Sequence, residues 1–422
     1  MLSQKLSHVT VLGAVSLLLC SVVGCQPKKP PQVQSPKVDY AAPLPEGEVA
    51  LRKIDPSEYP DFSPGLMSAD LDALKRSVDH SLSYFMRPSS AKAYPYLDID
   101  HERAIASLRA FRELLDQGPF RGTSQELNAI ISQRFEVYQS IGAPKPDGGG
   151  YTNEVLFTGY FTPTYDASLT RGGAYQWPLY KRPADLVTDA TGEKAGRKSE
   201  AGMVPYFTRQ DIEGGNLLAG QELVWLTSRW NAYVVTVQGS GRLRMPDGNI
   251  MEVGYAGTNG YAYTSPGLKM ISDGLIPKDQ LNFNSMRQYF EAHPEALDKY
   301  LWINQRSTFF TETRGGPFGS LNVPVTAFAS IATDKKVYPA GMIAFIDAPA
   351  SYAGKNLDGR FMLDQDRGGA IRSAGRADIY MGIGQNAEQL SGYQLSPGKL
   401  YYLAIRPELL PQYAAPRGRN AS

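Results

Sequence analysis

The most informative stretch of this 422-residue chain is Asp366–Ile371 (DRGGAI), followed by Arg376–Gly384 (RADIYMGIG). It places two carboxylates, Asp366 and Asp378, twelve positions apart in a stretch otherwise made of glycine, small or apolar residues and three arginines. We expect at least one of the two to be held in a shielded environment, where carboxylates with perturbed pKa values tend to do chemistry.

The two aspartates differ in how well a structural role explains them. An Asp that precedes a Gly-Gly pair often only accepts hydrogen bonds from its own turn, so Asp366 has this alternative. Asp378 lies in Ala377–Tyr380, which is predicted to be a short strand, and Asp is depleted in strands. A residue that opposes its local propensity usually has a partner or a function. We therefore assign the chemistry first to Asp378.

Composition narrows the class of protein. The chain is 42% hydrophobic and 20% charged, which is ordinary for a globular protein with a sizeable core. Its length allows two or three domains. The formal net charge of +1 would not attract a polyanion, and no Lys/Arg run is interleaved with aromatic residues. The sequence therefore predicts no nucleic-acid binding.

Other catalytic chemistries find little support in the sequence. After His8 only His80, His101 and His293 remain, and none has Cys, Asp or Glu at a metal-ligand spacing. Gln238–Gly241 is predicted to join two strands, which argues against Ser240 as a nucleophile on a strand-to-helix turn. No phosphate-binding loop with a closing Gly-Lys-Ser/Thr is present. We expect no metal and no cofactor, which leaves carboxylate acid–base chemistry.

Helical patterns precede strand patterns along the chain. Apolar spacing predicts three amphipathic helices, at 68–85, 101–115 and 123–141, the last opening with a capping-box pattern. After Val155 strands dominate, with Pro246–Asn249 as a hairpin turn and 277–300 as a further helical region. The clearest predicted strands are Leu223–Thr227, Tyr233–Val237, Met342–Ile346 and Leu400–Ile405. Propensity alone gives a β-rich α+β fold with more than one domain.

Several short motifs together resemble one known family. The aspartate-containing segments resemble the C-terminal signature of the membrane-bound lytic murein transglycosylase A family, and other motifs of that family occur in the expected order. These are Phe157–Pro163, Val237–Arg242, Gly254–Gly257 with Asn259–Gly260, and Gly319–Pro324. The resemblance covers roughly positions 150 to 410. It is specific because unrelated motifs agree in their order.

The resemblance implies a particular architecture. It implies a double-psi β-barrel domain with N-terminal helices, built from residues 47–164 and 308–415. A second, β-rich domain of residues 165–307 would be inserted between the two parts. An extended polymer would then bind in a groove between the domains, where ligand sites tend to lie.

The resemblance also implies a reaction. A lytic transglycosylase cleaves the bond between N-acetylmuramic acid and N-acetylglucosamine in peptidoglycan, with the C6 hydroxyl of the sugar replacing water as nucleophile. The family role of acid and then base corresponds to Asp378, whose pKa would have to be raised by desolvation. Asp366 would be a second carboxylate, either stabilising positive charge in the transition state or fixing the Gly368–Gly369 turn.

The same resemblance suggests substrate-binding residues. They are Thr158, Tyr160, Gln238, Ser240, Arg242 and Arg376. Arg376 creates a tension, because two residues before Asp378 on a strand it shares that face. It would either bind substrate or lower the pKa that the chemistry needs raised.

The N-terminus resembles the leader of a bacterial lipoprotein. Lys5 precedes an apolar stretch from Val9 to Val23 that suits a secretory signal, and Val22–Cys25 resembles a lipobox. We therefore predict a signal peptide at 1–24, a lipid anchor at Cys25, and a Pro-rich tether at 25–46. The alternative is that Cys25 is an ordinary residue after a signal-peptidase site. Gln26 favours delivery to the periplasmic face of the outer membrane.

Three other functions remain open at the level of sequence. The chain could be a glycoside hydrolase that uses both aspartates with water. It could be a non-catalytic peptidoglycan-binding lipoprotein, since related barrels also serve as binding modules. It could also be an assembly scaffold at the envelope. Beyond peptidoglycan glycan strands and the membrane, the sequence names no partner, and protein partners are unknown.

Overall fold

The computed structural model describes residues 38–189, 195–200, 202–348, 351–352, 355–356 and 359–414. The predicted signal peptide, Cys25 and positions 25–37 of the tether lie outside the described residues. The chain from Val38 onward forms one unit by its internal contacts. Within the ranges described, no helix has the length and apolar character needed to span a bilayer.

Helices and strands alternate unevenly along the chain. The described residues contain these helices: α1 (Ser63–Met67), α2 (Leu71–Phe85), α3 (His101–Asp116), α4 (Ser124–Arg134), α5 (Arg209–Gly214), α6 (Arg229–Gln238), α7 (Pro266–Ser272), α8 (Phe283–Ala292), α9 (Ala296–Leu301), α10 (Gln385–Tyr393) and α11 (Leu410–Tyr413). They contain these strands: β1 (Leu51–Lys53), β2 (Phe135–Ser140), β3 (Val155–Thr162), β4 (Thr164–Ser168), β5 (Trp177–Tyr180), β6 (Leu186–Thr188), β7 (Ala195–Ser199), β8 (Gly202–Pro205), β9 (Glu222–Leu226), β10 (Ser240–Arg244), β11 (Ile250–Thr258), β12 (Thr308–Thr313), β13 (Ser330–Ala332), β14 (Ile343–Asp347), β15 (Ser351–Tyr352), β16 (Lys355–Asn356), β17 (Arg360–Asp366), β18 (Arg376–Ile383) and β19 (Leu395–Ile405).

The N-terminal helices begin where the sequence offers a capping side chain. The Asp70 carboxylate accepts a hydrogen bond from a backbone N–H of α2, and Asp100 does the same for α3. Thr123 and Glu126 form the predicted capping box of α4. The predicted extent of this third helix was wrong. It ends at Arg134, and β2 follows, because all six β2 residues are buried between β1 and β19.

Six strands close into a barrel. Their order is β3–β18–β13–β17–β14–β19, and β19 pairs back with β3 to complete the ring. β2 and β1 extend the sheet beyond β19. Most side chains of β14 and of the second half of β19 are buried, which places the apolar core around these strands. The mainly β fold with a barrel and N-terminal helices is confirmed.

A second sheet lies between the two parts of the barrel in sequence. Its six strands have the order β12–β11–β10–β4–β9–β5, and the predicted turn at Pro246–Asn249 joins β10 to β11. Pro163 is the single residue between β3 of the barrel and β4 of this sheet. β12, at Thr308–Thr313, pairs with β11, so the next barrel strand is β13 at Ser330. The domain boundaries at 164/165 and 307/308 stay predictions.

One predicted strand is a helix. Tyr233–Val237 was predicted as a strand from its β-branched residues, but it belongs to α6. Ser228 caps the start of this helix, and Gly239, with φ of 78°, ends it in the left-handed region. Trp230, Tyr233 and Val234 bury the helix face, and this packing outweighs the weak strand propensity. The predicted helical region at 277–300 is divided into α8 and α9.

Candidate active site

Asp378 lies in the middle of the barrel sheet. β18 runs between β3 and β13, and Asp378 is in register with Thr158 on β3 and with Ala332 on β13. Side chains in register on neighbouring strands point to the same face of the sheet. The local sequence therefore presents Asp378 on the face that carries Thr158 and Ala332.

A β-bulge brings Asp366 to the same face. β13 pairs with β17 through Ile331 opposite Asp364, and then through Ala332 opposite Asp366, so one residue of β17 is skipped. Thr158, Asp378, Ala332 and Asp366 thus form a row across four strands. Two strand spacings separate the backbones of the two aspartates by about 10 Å. The small Ala332 side chain leaves room between them.

The Asp366 carboxylate is held by backbone groups. Its Oδ1 accepts hydrogen bonds from the backbone N–H groups of Ser320 and Arg367, each at 2.7 Å. Burial is the largest influence and holds the pKa of Asp366 above its usual value, although these N–H groups, the Tyr160 hydroxyl and the charge of Lys335 act in the opposite direction. The Tyr160 hydroxyl lies beside this carboxylate, and burial together with the Asp366 charge raises the Tyr160 pKa. Ser320 belongs to the Gly319–Pro324 motif, which thereby has a structural explanation.

The Asp378 carboxylate has a different environment. Its Oδ1 is buried and has no hydrogen-bond partner among the described residues. Burial raises the pKa of Asp378 to about 6, and the negative charge of Asp366 adds to this rise. The charge of Arg376 and the hydroxyl of Thr158 act in the opposite direction but do not outweigh burial. A carboxyl group of this pKa is partly protonated near neutral pH and can exchange its proton with a ligand.

Arg376 does not form an ion pair with Asp378. Its Nη2 donates a hydrogen bond to Thr158 Oγ1 at 3.2 Å, and no salt bridge within 4.0 Å joins it to a carboxylate in the described part of the chain. Its Nε is buried without a hydrogen-bond partner there. Arg376 therefore lowers the pKa of Asp378 by less than burial raises it, and the raised pKa that the chemistry needs is kept.

Two tyrosines connect the carboxylates to the second sheet. The Tyr160 and Tyr380 rings lie 5.1 Å apart, and the hydroxyl groups of Tyr380 and Thr162 are 3.0 Å apart. The hydroxyl groups of Thr162 and Ser240 are 3.2 Å apart, which links β3 to β10. Sequence reasoning missed Tyr380 and Thr162. Tyr380 could have been found, since it lies two residues after Asp378 and therefore on the same strand face.

The remaining predicted residues lie farther along this connection. Gln238 Oε1 accepts a hydrogen bond from the Phe161 backbone N–H at 3.1 Å, so this oxygen is occupied by the fold. Arg242 is 4.0 Å from Glu252, and its side chain is 43% exposed. Arg242 and Glu252 line a small cavity, together with Thr162, Gly241, Val253, Thr313, Pro317 and Ile383. Sequence reasoning also missed Glu252, for which no local pattern gives a signal.

The six predicted substrate residues divide into two groups. Thr158, Tyr160 and Arg376 surround the carboxylates, whereas Gln238, Ser240 and Arg242 lie where the second sheet meets β3. In the ranges that the structure describes, no cluster of three or more His, Cys, Asp or Glu side chains is placed to hold a metal ion.

Fold and site together define a class: a β-barrel protein whose candidate chemistry is carried by a buried, partly protonated carboxyl group. Two family models match the chain. The MltA specific insert domain matches residues 156–311, and the 3D domain matches residues 329–404. The first covers the second sheet with β3, and the second covers the other five barrel strands.

Relatives of known name match much of the chain. Membrane-bound lytic murein transglycosylase A of Escherichia coli is 31% identical over 274 residues, which are 63% of this chain and 70% of the relative. The protein of the same name from Vibrio cholerae is 28% identical over 298 residues, which are 68% and 76% of the two chains. This chain belongs to the membrane-bound lytic murein transglycosylase A family.

Solved structures have the same fold. The crystal structure of a membrane-bound lytic murein transglycosylase from Agrobacterium tumefaciens has a TM-score of 0.69 and 24% identity, and the match covers 86% of this chain and 99% of the other. The crystal structure of E. coli MltA with bound chitohexaose has a TM-score of 0.63 and 22% identity, and the match covers 88% and 100%. At these identities the likeness concerns the fold.

Proposed function

We propose that this chain is a lytic transglycosylase of peptidoglycan. It cleaves the β-1,4 bond between N-acetylmuramic acid and N-acetylglucosamine without water and leaves a 1,6-anhydro end on the muramic acid. Family membership supports the reaction class. The single observation that carries the assignment to residues is the buried, unpartnered Oδ1 of Asp378, whose pKa is raised to about 6.

The first step is a proton transfer from Asp378. The protonated carboxyl gives its proton to the glycosidic oxygen while the bond from that oxygen to C1 of the muramic acid breaks. Positive charge then develops at C1. An acid of pKa near 6 suits this step, because about a tenth of the molecules still carry the proton at pH 7, far more than for an ordinary Asp, and the proton is released readily.

The second step returns the proton. The Asp378 carboxylate takes the proton from the C6 hydroxyl of the same sugar while the C6 oxygen forms a bond to C1. The anhydro ring closes, and Asp378 is protonated again for the next cycle. One carboxyl group performs both transfers, so the site needs no water-activating base.

Asp366 contributes by its charge. Two backbone N–H groups donate to its Oδ1 and stabilise the ionised form, while burial keeps the pKa of Asp366 above its usual value. Its negative charge helps to raise the pKa of Asp378. The same charge would stabilise the positive sugar carbon across the space above Ala332. This role differs from the second carboxylate of a hydrolase, which must hold a water or attack C1.

The groups proposed to bind the glycan lie beside the carboxylate row and on the second sheet. Arg376 and Thr158 beside Asp378, and Ser240 and Arg242 on β10, offer hydrogen bonds to hydroxyl and acetamido groups. Tyr160 offers an aromatic face. The Gln238 amide can still donate, although its oxygen is occupied. A relative has been solved with bound chitohexaose, an N-acetylated glycan, which supports this class of ligand.

The relatives are named as membrane-bound, and we propose the same for this chain. A lipid on Cys25 would anchor it to the periplasmic face of the outer membrane, and the Pro-rich tether would let the barrel reach the peptidoglycan layer. Labelling with a radioactive fatty acid tests this. The Cys25→Ala protein should lose the label and leave the membrane fraction, and retention of both would reject the anchor.

One experiment separates the proposal from its alternatives. Purified protein is incubated with cell-wall sacculi, turbidity is followed, and the released muropeptides are weighed by mass spectrometry. We expect falling turbidity and products lighter by one water than reducing-end sugars, with Asp378→Asn inactive. Products with reducing ends would indicate a hydrolase. Binding without any release would indicate a non-catalytic peptidoglycan-binding protein.

A further inference from the structure

The bulge that aims Asp366 is held by a buried polar network outside the site. Three consecutive residues at the end of β17, Asp364, Gln365 and Asp366, lead into the Gly-rich loop. Asp364 and Gln365 are completely buried. Regular pairing would place Gln365 opposite Ala332, but the bulge places Asp366 there instead. Bulges near active sites commonly re-aim a side chain in this way.

The Gln365 side chain points toward α2. Its Nε2 donates hydrogen bonds to the Ser77 backbone oxygen at 2.6 Å and to Ser81 Oγ at 3.0 Å. Its Oε1 accepts from Ser77 Oγ at 2.9 Å and from Ser330 Oγ at 2.6 Å. Four polar contacts therefore surround the amide, two at each end, with the single hydroxyl hydrogen of Ser77 shared between Gln365 Oε1 and the Ala329 carbonyl oxygen. Ser77, Ser81 and Ser330 are themselves buried, so none of these groups can turn to water instead.

Asp364 fixes the other side of the bulge. Its carboxylate is paired with Lys335 and accepts hydrogen bonds from Thr333 Oγ1 and Tyr402 Oη, each at 2.7 Å. In regular register Asp364 would stay opposite Ile331, while Gln365 would move opposite Ala332 and leave its partners on α2. A buried polar group left unpaired is costly, so the network holds the bulge in place.

We propose that Gln365, Ser77 and Ser81 are positioning residues, which hold the bulge and so keep Asp366 in the same row as Asp378. The proposal rests on the function proposed above, in which Asp366 acts on Asp378 by its charge. It gives the helical N-terminal region a part in the reaction, although α2 contributes no group to the carboxylate row.

The position of the bulge affects the pKa of Asp378 through the charge of Asp366. The charged or titratable groups that act on Asp378 or on Asp366 are Arg376 on β18, Tyr160 on β3, Tyr380 on β18 and Lys335 after β13. The Gln365→Met substitution changes none of these groups chemically. If the bulge relaxes, Asp366 leaves the row and its charge no longer raises the pKa of Asp378. The proton of Asp378 is then lost at lower pH.

The test is Gln365→Met, which keeps the length of the side chain and removes its hydrogen bonds. The pKa of Asp378 is read by NMR titration of ¹³C-labelled aspartate, assigned with the Asp378→Asn protein, and the alkaline limb of the activity profile is measured in parallel. We expect both to move to lower pH by about 0.3–1.2 units, the effect of one charge at about 10 Å. Gln139→Met is the matched control, because this glutamine on β2 is also buried but lies outside the closed barrel.

The decisive comparison uses Asp366→Asn as a background. There the Gln365→Met change should produce no further shift, since the charge is already gone. An unchanged Asp378 pKa in folded Gln365→Met protein would overturn the proposal, and so would a shift that persists in the Asp366→Asn background. If Gln365→Met does not fold, Ser81→Ala removes one of the four polar contacts and is judged by the same two criteria. The NMR titration needs no substrate, so it stays interpretable even if the wild-type protein releases no anhydro product.

Discussion

Replacing Asp378 by Asn should destroy activity and stabilise the fold at the same time. The substitution keeps the shape of the side chain and removes its exchangeable proton. General acid–base catalysis contributes about 10²- to 10⁴-fold, and Asp378 serves both proton transfers. We therefore expect release of muropeptides from sacculi to fall by at least about 10³-fold, measured by mass spectrometry of soluble products.

The gain in stability follows from burial of the carboxylate. A pKa raised from 3.8 to about 6 corresponds to about 3 kcal/mol, at about 1.4 kcal/mol per tenfold change in proton affinity. Because the folded-state pKa is the higher one, the native state binds this proton more tightly. The wild-type free energy of unfolding should therefore fall as the pH rises from about 4 to about 6, and stay lower above that range.

The Asn variant lacks this titration, so above pH 7 it should be more stable than wild type by up to about 3 kcal/mol. At pH 4 the difference should be small. Urea unfolding at the two pH values measures it. Two results would refute the reasoning: activity within tenfold of wild type, or a variant that is less stable than wild type at pH 7.

Three further changes test the surroundings of Asp378 and the fold. Asp366→Asn should reduce activity less than Asp378→Asn and move the alkaline limb of the pH–activity profile to lower pH, because its charge raises the Asp378 pKa; an equal loss would show that the two aspartates act as a unit. Arg376→Met should move the same limb to higher pH, since the Arg376 charge lowers that pKa, and an unmoved limb would contradict the electrostatic account. Thr123→Ala should cost about 1 kcal/mol in urea unfolding by removing a helix cap, with activity per folded molecule unchanged.

The parts of the fold that sequence predicted are those fixed by local signals. α2 and α3 have apolar faces and acidic caps within a few residues, and the capping box at Thr123 and Glu126 was visible as a pattern. Where local signals conflict with tertiary packing, prediction failed. Tyr233–Val237 has strand-forming residues but is closed into α6 by Ser228 and Gly239.

Closure of the barrel could not be read from local patterns. β3 and β18 are neighbours although more than two hundred residues separate them in the sequence. Propensity gave only a β-rich α+β fold, and the barrel came from the resemblance of ordered motifs. β13 has three residues and no strong pattern, yet it is the strand that lies between the two aspartates.

For the candidate site, the sequence indicated which residues to consider but not how they are arranged. Asp378 stood out because Asp opposes strand propensity. The bulge at β17 has no sequence signal that would place Asp366 in the same row, and the amide of Gln365 gives no hint that it packs against two serines on α2. Glu252 beside Arg242 comes from the pairing of β10 with β11, which no single segment reveals.

Digestion of sacculi in water enriched in ¹⁸O shows whether the sugar's own hydroxyl completes the reaction that Asp378 begins. A hydrolase that acts on the same sacculi serves as the positive control for label uptake. We predict 1,6-anhydro products without ¹⁸O. New glycan ends that carry one ¹⁸O and the mass of a full water would contradict this prediction.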